Sequence, residues 1–268
     1  MAHREITGLR GIVTGASGGI GEAIARRLVQ AGARILLVAR RGERLEKIAA
    51  ELNGELPAGS AAAAGQADFL AGDITDPAIR SEAVTRCQAR FGGLDLLVNN
   101  AGVGCLGRFE QSSPQRLRQV MDVNFFAAVE LTRTALPALH AGRTPIVVNV
   151  GSILAHRAIP HASEYCASKF ALRGFSESLR AELAPRGIDV LLVTPGSTDT
   201  EFFDHALERG KYPWRQSRGV SPEIVARRTL SAIRRGRHEV TIGLSGQFLI
   251  WANRLFPGVV DWVMRGYG

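Results

Sequence analysis

Tyr165 and Lys169, in the run Tyr165-Cys166-Ala167-Ser168-Lys169, are the residues whose types and spacing most directly suggest acid–base chemistry. On a helix, the i, i+4 spacing puts both side chains on one face. A phenol titrates near ~10, and bringing it to ~7 takes about three units, or ~4 kcal/mol. One ammonium ~4 Å away supplies about that much at an effective dielectric of ~20. The lysine could therefore tune the phenol into a usable acid or base. Tyrosine and lysine four apart are also common in ordinary helices, so spacing alone leaves a structural reading open. A second group is Thr14-Gly15-Ala16-Ser17-Gly18-Gly19-Ile20-Gly21. Glycines there allow a tight turn and close approach of backbone to a pyrophosphate, whose charge meets a helix N-terminus. A third is Val38-Ala39-Arg40-Arg41, which lacks the acid that binds a ribose 2′-hydroxyl in an NAD site. Arg40 instead offers a planar donor fork suited to a 2′-phosphate, so NADP is expected over NAD. Arg41 reads equally well as a cofactor contact or a solvated charge.

These groups need elements to hold them. Apolar, β-branched or leucine-rich runs at 11–14, 34–39, 68–71, 94–98, 145–150 and 189–194 read as strands buried on both faces. Helical patterns lie between them at 20–31, 43–52, 77–91, 114–139 and 163–183. Asp76-Pro77, Ser113-Pro114 and Ser221-Pro222 are cap-plus-proline helix starts: the side-chain oxygen accepts from an early amide, and proline at the first position loses no helical bond. Strand–helix alternation over this length predicts an α/β fold, a single doubly wound parallel sheet with helices on both faces. The glycine-rich turn then falls between the first strand and first helix, where it favours a dinucleotide over a plain loop. Residues 53–66, rich in alanine and glycine, read as a surface loop. The expected organisation is a catalytic domain over 1–243, with a substrate cover at about 197–220, and a short helical extension of that domain over 244–268.

Composition excludes several other classes. At 268 residues with 46% hydrophobic and 22% charged, the chain is neither disordered nor fibrous. Cys87, Cys105 and Cys166 have no paired spacing, so neither a disulfide framework nor a metal site is expected and a reducing, cytoplasmic setting is. The opening residues have no apolar signal core, and no run approaches the ~18 residues of a membrane span. The net charge of +8 invites a nucleic-acid reading, but its distribution argues against one. Residues 1–206 hold 22 basic and 21 acidic residues, while 207–268 hold 11 and 4. No recognition-helix, zinc or single-strand-binding motif accompanies the excess, so no nucleic acid is expected. In the tail, Phe248, Trp251, Ala252, Leu255, Val259, Trp262 and Val263 recur at helical spacing, and Pro257-Gly258 should divide the stretch into two helices. This stripe could close over a substrate pocket, pack on a second subunit, or lie in a lipid interface with neighbouring arginines near anionic headgroups.

Further motifs fall in register with those above: Asn99-Asn100-Ala101-Gly102 after a strand, Asn124, Ser152 thirteen residues before Tyr165, and Pro195-Gly196 after the sixth strand. Together, over about residues 8–240, the sequence resembles the short-chain dehydrogenase/reductase family. The resemblance implies a carbonyl reductase in the broad sense, in which a nicotinamide cofactor exchanges hydride with a small-molecule ketone, aldehyde or alcohol. It implies that Tyr165 passes the proton, Ser152 stabilises the substrate oxygen, Lys169 binds the nicotinamide ribose and lowers the phenol's pKa, and Asn124 holds a relay water. Gly15, Ser17, Gly19, Ile20 and Gly21 would take the pyrophosphate, Asp73-Ile74 the adenine, and Asn100, Ala101 and Gly102 would line the groove. Pro195, Gly196, Thr198 and Thr200 match the segment that holds the carboxamide. Many NADP-preferring relatives carry a basic residue just before the middle glycine of the first motif; here it is Gly18, which leaves the 2′-phosphate to Arg40 with Ser17. A homodimer or homotetramer is expected. The competing class is a non-catalytic NADP-binding sensor or scaffold on the same fold. His156, Arg157 and His161, between Ser152 and Tyr165, read as solvated loop residues. Cys105 and Leu106 read equally well as substrate contacts or not. The aromatics Phe202, Phe203, Tyr212 and Trp214 of the cover hint at an apolar substrate.

Overall fold

A computed structural model describes residues 4–54, 65–202, 206–207 and 219–267. Seven strands form one parallel sheet in the order β3-β2-β1-β4-β5-β6-β7. They are β1 (Arg10–Thr14), β2 (Arg34–Ala39), β3 (Gln66–Ala71), β4 (Leu96–Asn99), β5 (Ile146–Val150), β6 (Asp189–Pro195) and β7 (Glu239–Ile242). The order reverses between β1 and β4, and such a switch point opens a crevice at the carboxyl ends of the strands. The strands are nearly continuous apolar runs because helices cover both faces. On one face α1 (Gly19–Gln30), α2 (Gly42–Gly54) and α7 (Pro222–Arg234) bury Leu28, Leu45 and Ile233 against Val13, Leu37 and Val148. On the other α3 (Pro77–Phe91), α5 (Ala127–His140) and α6 (Ser163–Leu183) bury Phe91, Leu131 and Leu179 against Ile12, Leu97 and Val147.

The expected caps form. Asp76 accepts from Ala78 N at 2.8 Å, Ser113 from Arg116 N at 3.1 Å and Ser221 from Ile224 N at 3.4 Å. At the end of the sheet away from the crevice, Arg10 grips the buried Asp95 with two bonds of 2.8 and 2.7 Å. Burial opposes the Asp95 charge, but Arg10 and the Arg143 amide hold its carboxyl below the usual range.

Three expectations need correcting. The helix expected over 114–139 is α4 (Pro114–Met121), a π-helical turn (Asp122–Phe126) and α5. Strand β4 starts at Leu96 and not at residue 94, although the Asp95 main chain already bonds Arg10 O and Ile146 N. Strand β7 was not foreseen: it has four residues, begins with a charged one and, among the described residues, pairs on β6 alone. Of the loop expected over 53–66, both ends belong to α2 and β3, and 55–64 lie outside the described residues. The tail divides at Pro257 as expected, into α8 (Leu244–Leu255) and α9 (Pro257–Arg265).

Candidate active site

The crevice at the switch point is a cavity of about 970 Å³ that runs from the glycine turn to the tail helices. Its floor is tied together at the ends of β1 and β4. Thr14 Oγ1 donates to Val98 O and accepts from the amides of Asn100 and Ala101, while Asn100 Nδ2 donates to Thr14 O. Gly19 opens α1 at φ +55, and a Cβ there would come within 3.1 Å of Thr200 Cγ2. A Cβ on Gly21 would collide with the Gly15 carbonyl. Among the described residues no side chain caps α1 at Gly18, so the positive end of the helix faces the cavity. A cradle that only glycine permits, at a helix N-terminus bare of side-chain caps, fits a pyrophosphate.

Gly15, Ser17, Gly19, Ile20, Arg40, Asp73, Ile74, Asn100, Ala101, Gly102, Pro195, Gly196, Thr198 and Thr200 all line this cavity. Gly21 does not, and acts by letting α1 sit close to the turn. Asp73 Oδ1 accepts from the amide and hydroxyl of Thr75, which fixes its carboxylate. The Gly196 amide bonds to Ile242 O at 2.8 Å, so the unforeseen β7 holds the segment that follows β6. Arg40 is exposed at the rim. Arg41 folds back, its Nε donating to Ser17 Oγ at 3.1 Å and its Nη2 to Ser17 O at 2.9 Å. A Cβ on Gly18 would stand 2.9 Å from the same Nη2. The guanidinium thus reaches the turn at Gly18 from the end of the second strand. Its sequence signal was only its place after Arg40.

Ser152, Tyr165 and Lys169 meet at the far wall. Ser152 follows β5, and its Oγ accepts from Leu154 N at 3.1 Å and hydrogen-bonds the Tyr165 phenol. Tyr165 and Lys169 share a face of α6, with Lys169 Nζ 5.8 Å from the phenol ring centre and donating to Val150 O at 3.0 Å. The expectation of a phenol drawn down by lysine is overturned here. Burial pushes the Tyr165 phenol above its ordinary value, against the pull of Ser152. Burial also lowers Lys169 to about 8. Removal from water opposes charge on both groups.

Asn124 lies in the π turn, whose wider winding re-aims its side chain. Its amide clamps Val103, accepting from N at 2.7 Å and donating to O at 3.1 Å, and donates to Ser168 Oγ at 3.0 Å. Sequence reasoning missed a buried clasp beside it. Glu164, next to Tyr165, accepts from Arg116 Nε and Nη2 at 3.0 and 2.9 Å and from Ser112 Oγ. Burial opposes that carboxylate, but Ser112 and Arg116 hold it below the usual range. Cys105 is buried near Glu164 and does not line the cavity, whereas Leu106 does. Of the three residues expected to be solvated, His156 and Arg157 are instead drawn into part-buried contacts, while the His161 contact is exposed. His156 bonds Glu239 at 2.8 Å, Arg157 bonds Asn253 at 3.0 Å and Asp261 at 2.7 Å, and His161 meets Tyr267 O at 3.0 Å.

Of the expected cover, Thr198 and Val220 pair as a bridge that joins its two feet, and Phe202 stacks edge-on at 6.0 Å from the Tyr165 ring. Phe203, Tyr212 and Trp214 lie outside the described residues. The tail stripe does not face the pocket. Phe248, Trp251, Leu255, Val259 and Trp262 are exposed, and Ser245, Gly246, Leu249 and Met264 of α8 and α9 line the cavity instead.

Fold and site together are those of a nicotinamide-dependent oxidoreductase, and comparison with known proteins gives the family. The short chain dehydrogenase profile matches residues 11–210, and the chain belongs to that family. It is 32% identical to a dehydrogenase/reductase SDR family protein 7-like of Anopheles gambiae, over 98% of this chain and 84% of that one. It is 33% identical to dehydrogenase/reductase SDR family member 7B of Bos taurus, over 92% and 78%. Among solved structures, a short-chain dehydrogenase from Streptomyces avermitilis superposes with a TM-score of 0.81 at 29% identity, covering 96% of this chain and 98% of that one. One from Burkholderia cenocepacia in complex with NADP gives 0.77 at 33%, over 89% and 98%.

Proposed function

We propose that the protein is an NADP(H)-dependent oxidoreductase that interconverts a ketone or aldehyde and an alcohol, acting on an apolar substrate. The observation that carries this reading is that Ser152, Tyr165 and Lys169 meet on one wall of the cavity that begins at the glycine turn. When bound, the nicotinamide supplies or accepts the hydride. The chain does the rest. Tyr165, kept protonated by burial, gives its proton to the substrate oxygen in reduction and takes it back in oxidation. Ser152 stabilises the charge that develops on that oxygen. Lys169 holds the ribose, and its ammonium offsets the phenolate as it forms. The side chain of Asn124 is spent on Val103 and Ser168, so a relay water would be held by its main-chain carbonyl. Gly15, Gly19, Ile20 and Gly21 form the pyrophosphate cradle. Asp73 and Ile74 take the adenine, and Pro195, Gly196, Thr198 and Thr200 the carboxamide. Arg40, with Arg41 and Ser17, receives the 2′-phosphate.

The same reading takes residues 1–243 as the catalytic domain and 244–268 as its extension, in a cytoplasmic homodimer or homotetramer that contacts membranes peripherally through that extension. The decisive experiment replaces Tyr165 by Phe. Turnover of a ketone panel, followed by NADPH absorbance, should fall by about 10²–10⁴-fold with NADPH affinity kept; unchanged turnover overturns the catalytic assignment, and a sensor would retain its biological output. Arg40→Ala should weaken NADPH by about 10–100-fold, the loss of charge-assisted bonds worth ~1.5–3 kcal/mol, and leave NADH little changed. A parent kcat/KM equal or better with NADH overturns the NADP preference.

A further inference from the structure

The two tail helices have an apolar surface on both sides. Inward, Gly246, Leu249 and Met264 line the cavity, and a Cβ on Gly246 would stand 2.7 Å from Ile153 Cγ2, so α8 lies against the residue after Ser152. Outward, Phe248, Trp251, Leu255, Phe256, Val259 and Trp262 are exposed, Phe248 at 75% and Trp262 at 73%. Scattered apolar residues on a surface need no explanation, but five on two consecutive short helices and Phe256 at their junction form a patch of the kind that marks an interaction site.

Charge indicates what covers it. Asp261 is the one acid within Leu244–Leu255 and Pro257–Arg265, and Arg157 pairs it at 2.7 Å. Arg254 sits 5.9 Å from the centre of the Trp251 ring, and Arg265 ends α9. The patch is therefore apolar and aromatic with a cationic border. Pairing with a second copy would bring two cationic borders together, whereas an anionic lipid surface complements both the rings and the arginines. The helices have 12 and 9 residues, too short to cross a bilayer and suited to lying in its interface.

We propose that α8 and α9 dock this face on an anionic lipid surface, and that an apolar carbonyl compound dissolved in that lipid reaches the cavity past the inner side of the same helices. The second half rests on the proposed oxidoreductase activity and the first half does not. Arg157 joins the docking helices to the loop between Ser152 and Tyr165 through Asn253 and Asp261, so the seated helices and the reacting wall form one connected body.

The test floats the full-length protein, with NADPH present, on vesicles of phosphatidylcholine alone or with phosphatidylserine. Co-flotation with the phosphatidylserine vesicles is expected at low salt and should weaken as salt rises. Arg254→Gln with Arg265→Gln should lower partitioning about 30-fold, from about 1 kcal/mol for each arginine at an anionic surface. Trp251→Ser with Trp262→Ser should abolish it. No flotation at low salt overturns the docking face, as does a tryptophan double variant that floats like the parent. Self-association that this variant abolishes while it still floats also overturns it, in favour of a second copy. Loading is read with two ketones. The tryptophan variant should raise KM several-fold for a long-chain alkanone dissolved in vesicles and leave kcat/KM for a short water-soluble ketone unchanged; equal loss on both overturns loading. If the parent reduces neither ketone, loading falls together with the oxidoreductase reading, and flotation still decides the docking face.

Discussion

Tyr165 and Lys169 occupy a wall that disfavours charge on either of them, and this gives the lysine a measurable cost. Its pKa falls from 10.5 to about 8 on burial. Between those values the unfolded chain binds more protons than the folded one, so stability should rise with pH across that window and its deficit should be complete below about 8. Lys169→Met removes a buried ammonium and one bond to Val150 O. We expect it to abolish turnover yet stabilise the fold at pH 7 by roughly 1–3 kcal/mol, an advantage that vanishes toward pH ~10. Urea unfolding at the two pH values checks both signs, and a variant less stable than the parent at pH 7 would contradict the argument. Ser152, Tyr165 and Lys169 were singled out by the family resemblance, since spacing alone left the tyrosine–lysine pair open to a structural reading, and the fold brings all three to the cavity. The direction of the phenol's shift was not legible, since it depends on how much water the fold removes. Arg41 and the Arg116–Glu164 clasp were also hidden. Their partners lie 24 and 48 residues away, and only the closed fold brings them within reach.

At the scale of elements, long apolar strands and capped helices could be read directly, because a buried strand or a Ser-Pro start has one local meaning. The π turn was read as uninterrupted helix: one extra residue per turn hardly disturbs an apolar periodicity, yet it sets where Asn124 points. The edge strand β7 was missed because its four residues are held by pairing with β6 and not by a pattern of their own. The packing of α8 turns on one small residue. Gly246→Ala places a methyl group against Ile153, and relief by moving α8 outward should raise KM for the substrate several-fold and cost about 1–3 kcal/mol of stability. The glycine turn lies at the other end of the cavity, so NADPH affinity should hold. Parallel measurement of KM and cofactor dissociation tests this, and a weakened cofactor with unchanged KM would place the effect elsewhere.

For the whole molecule, cofactor and fold should be coupled, since the cavity is built from the ends of both halves of the sheet and does not exist in the unfolded chain. NADPH at about 100 times its Kd should add ~2.7 kcal/mol. For a chain of this size, that is a rise of about 5–10 °C in Tm. NADH at the same concentration should add less, and thermal melts with each nucleotide compare them; equal shifts would argue against a 2′-phosphate site at Arg40. The net charge of +8 is likewise uneven, because its excess lies in the last 62 residues. Those residues include α8 and α9, whose inner side lines the cavity and whose outer side is exposed. On the proposed docking, reaction chemistry and membrane address fall in separate parts of the chain. Transplanting α8 and α9 onto a soluble relative should carry over where that enzyme works and what it accepts, while its hydride-transfer machinery stays its own.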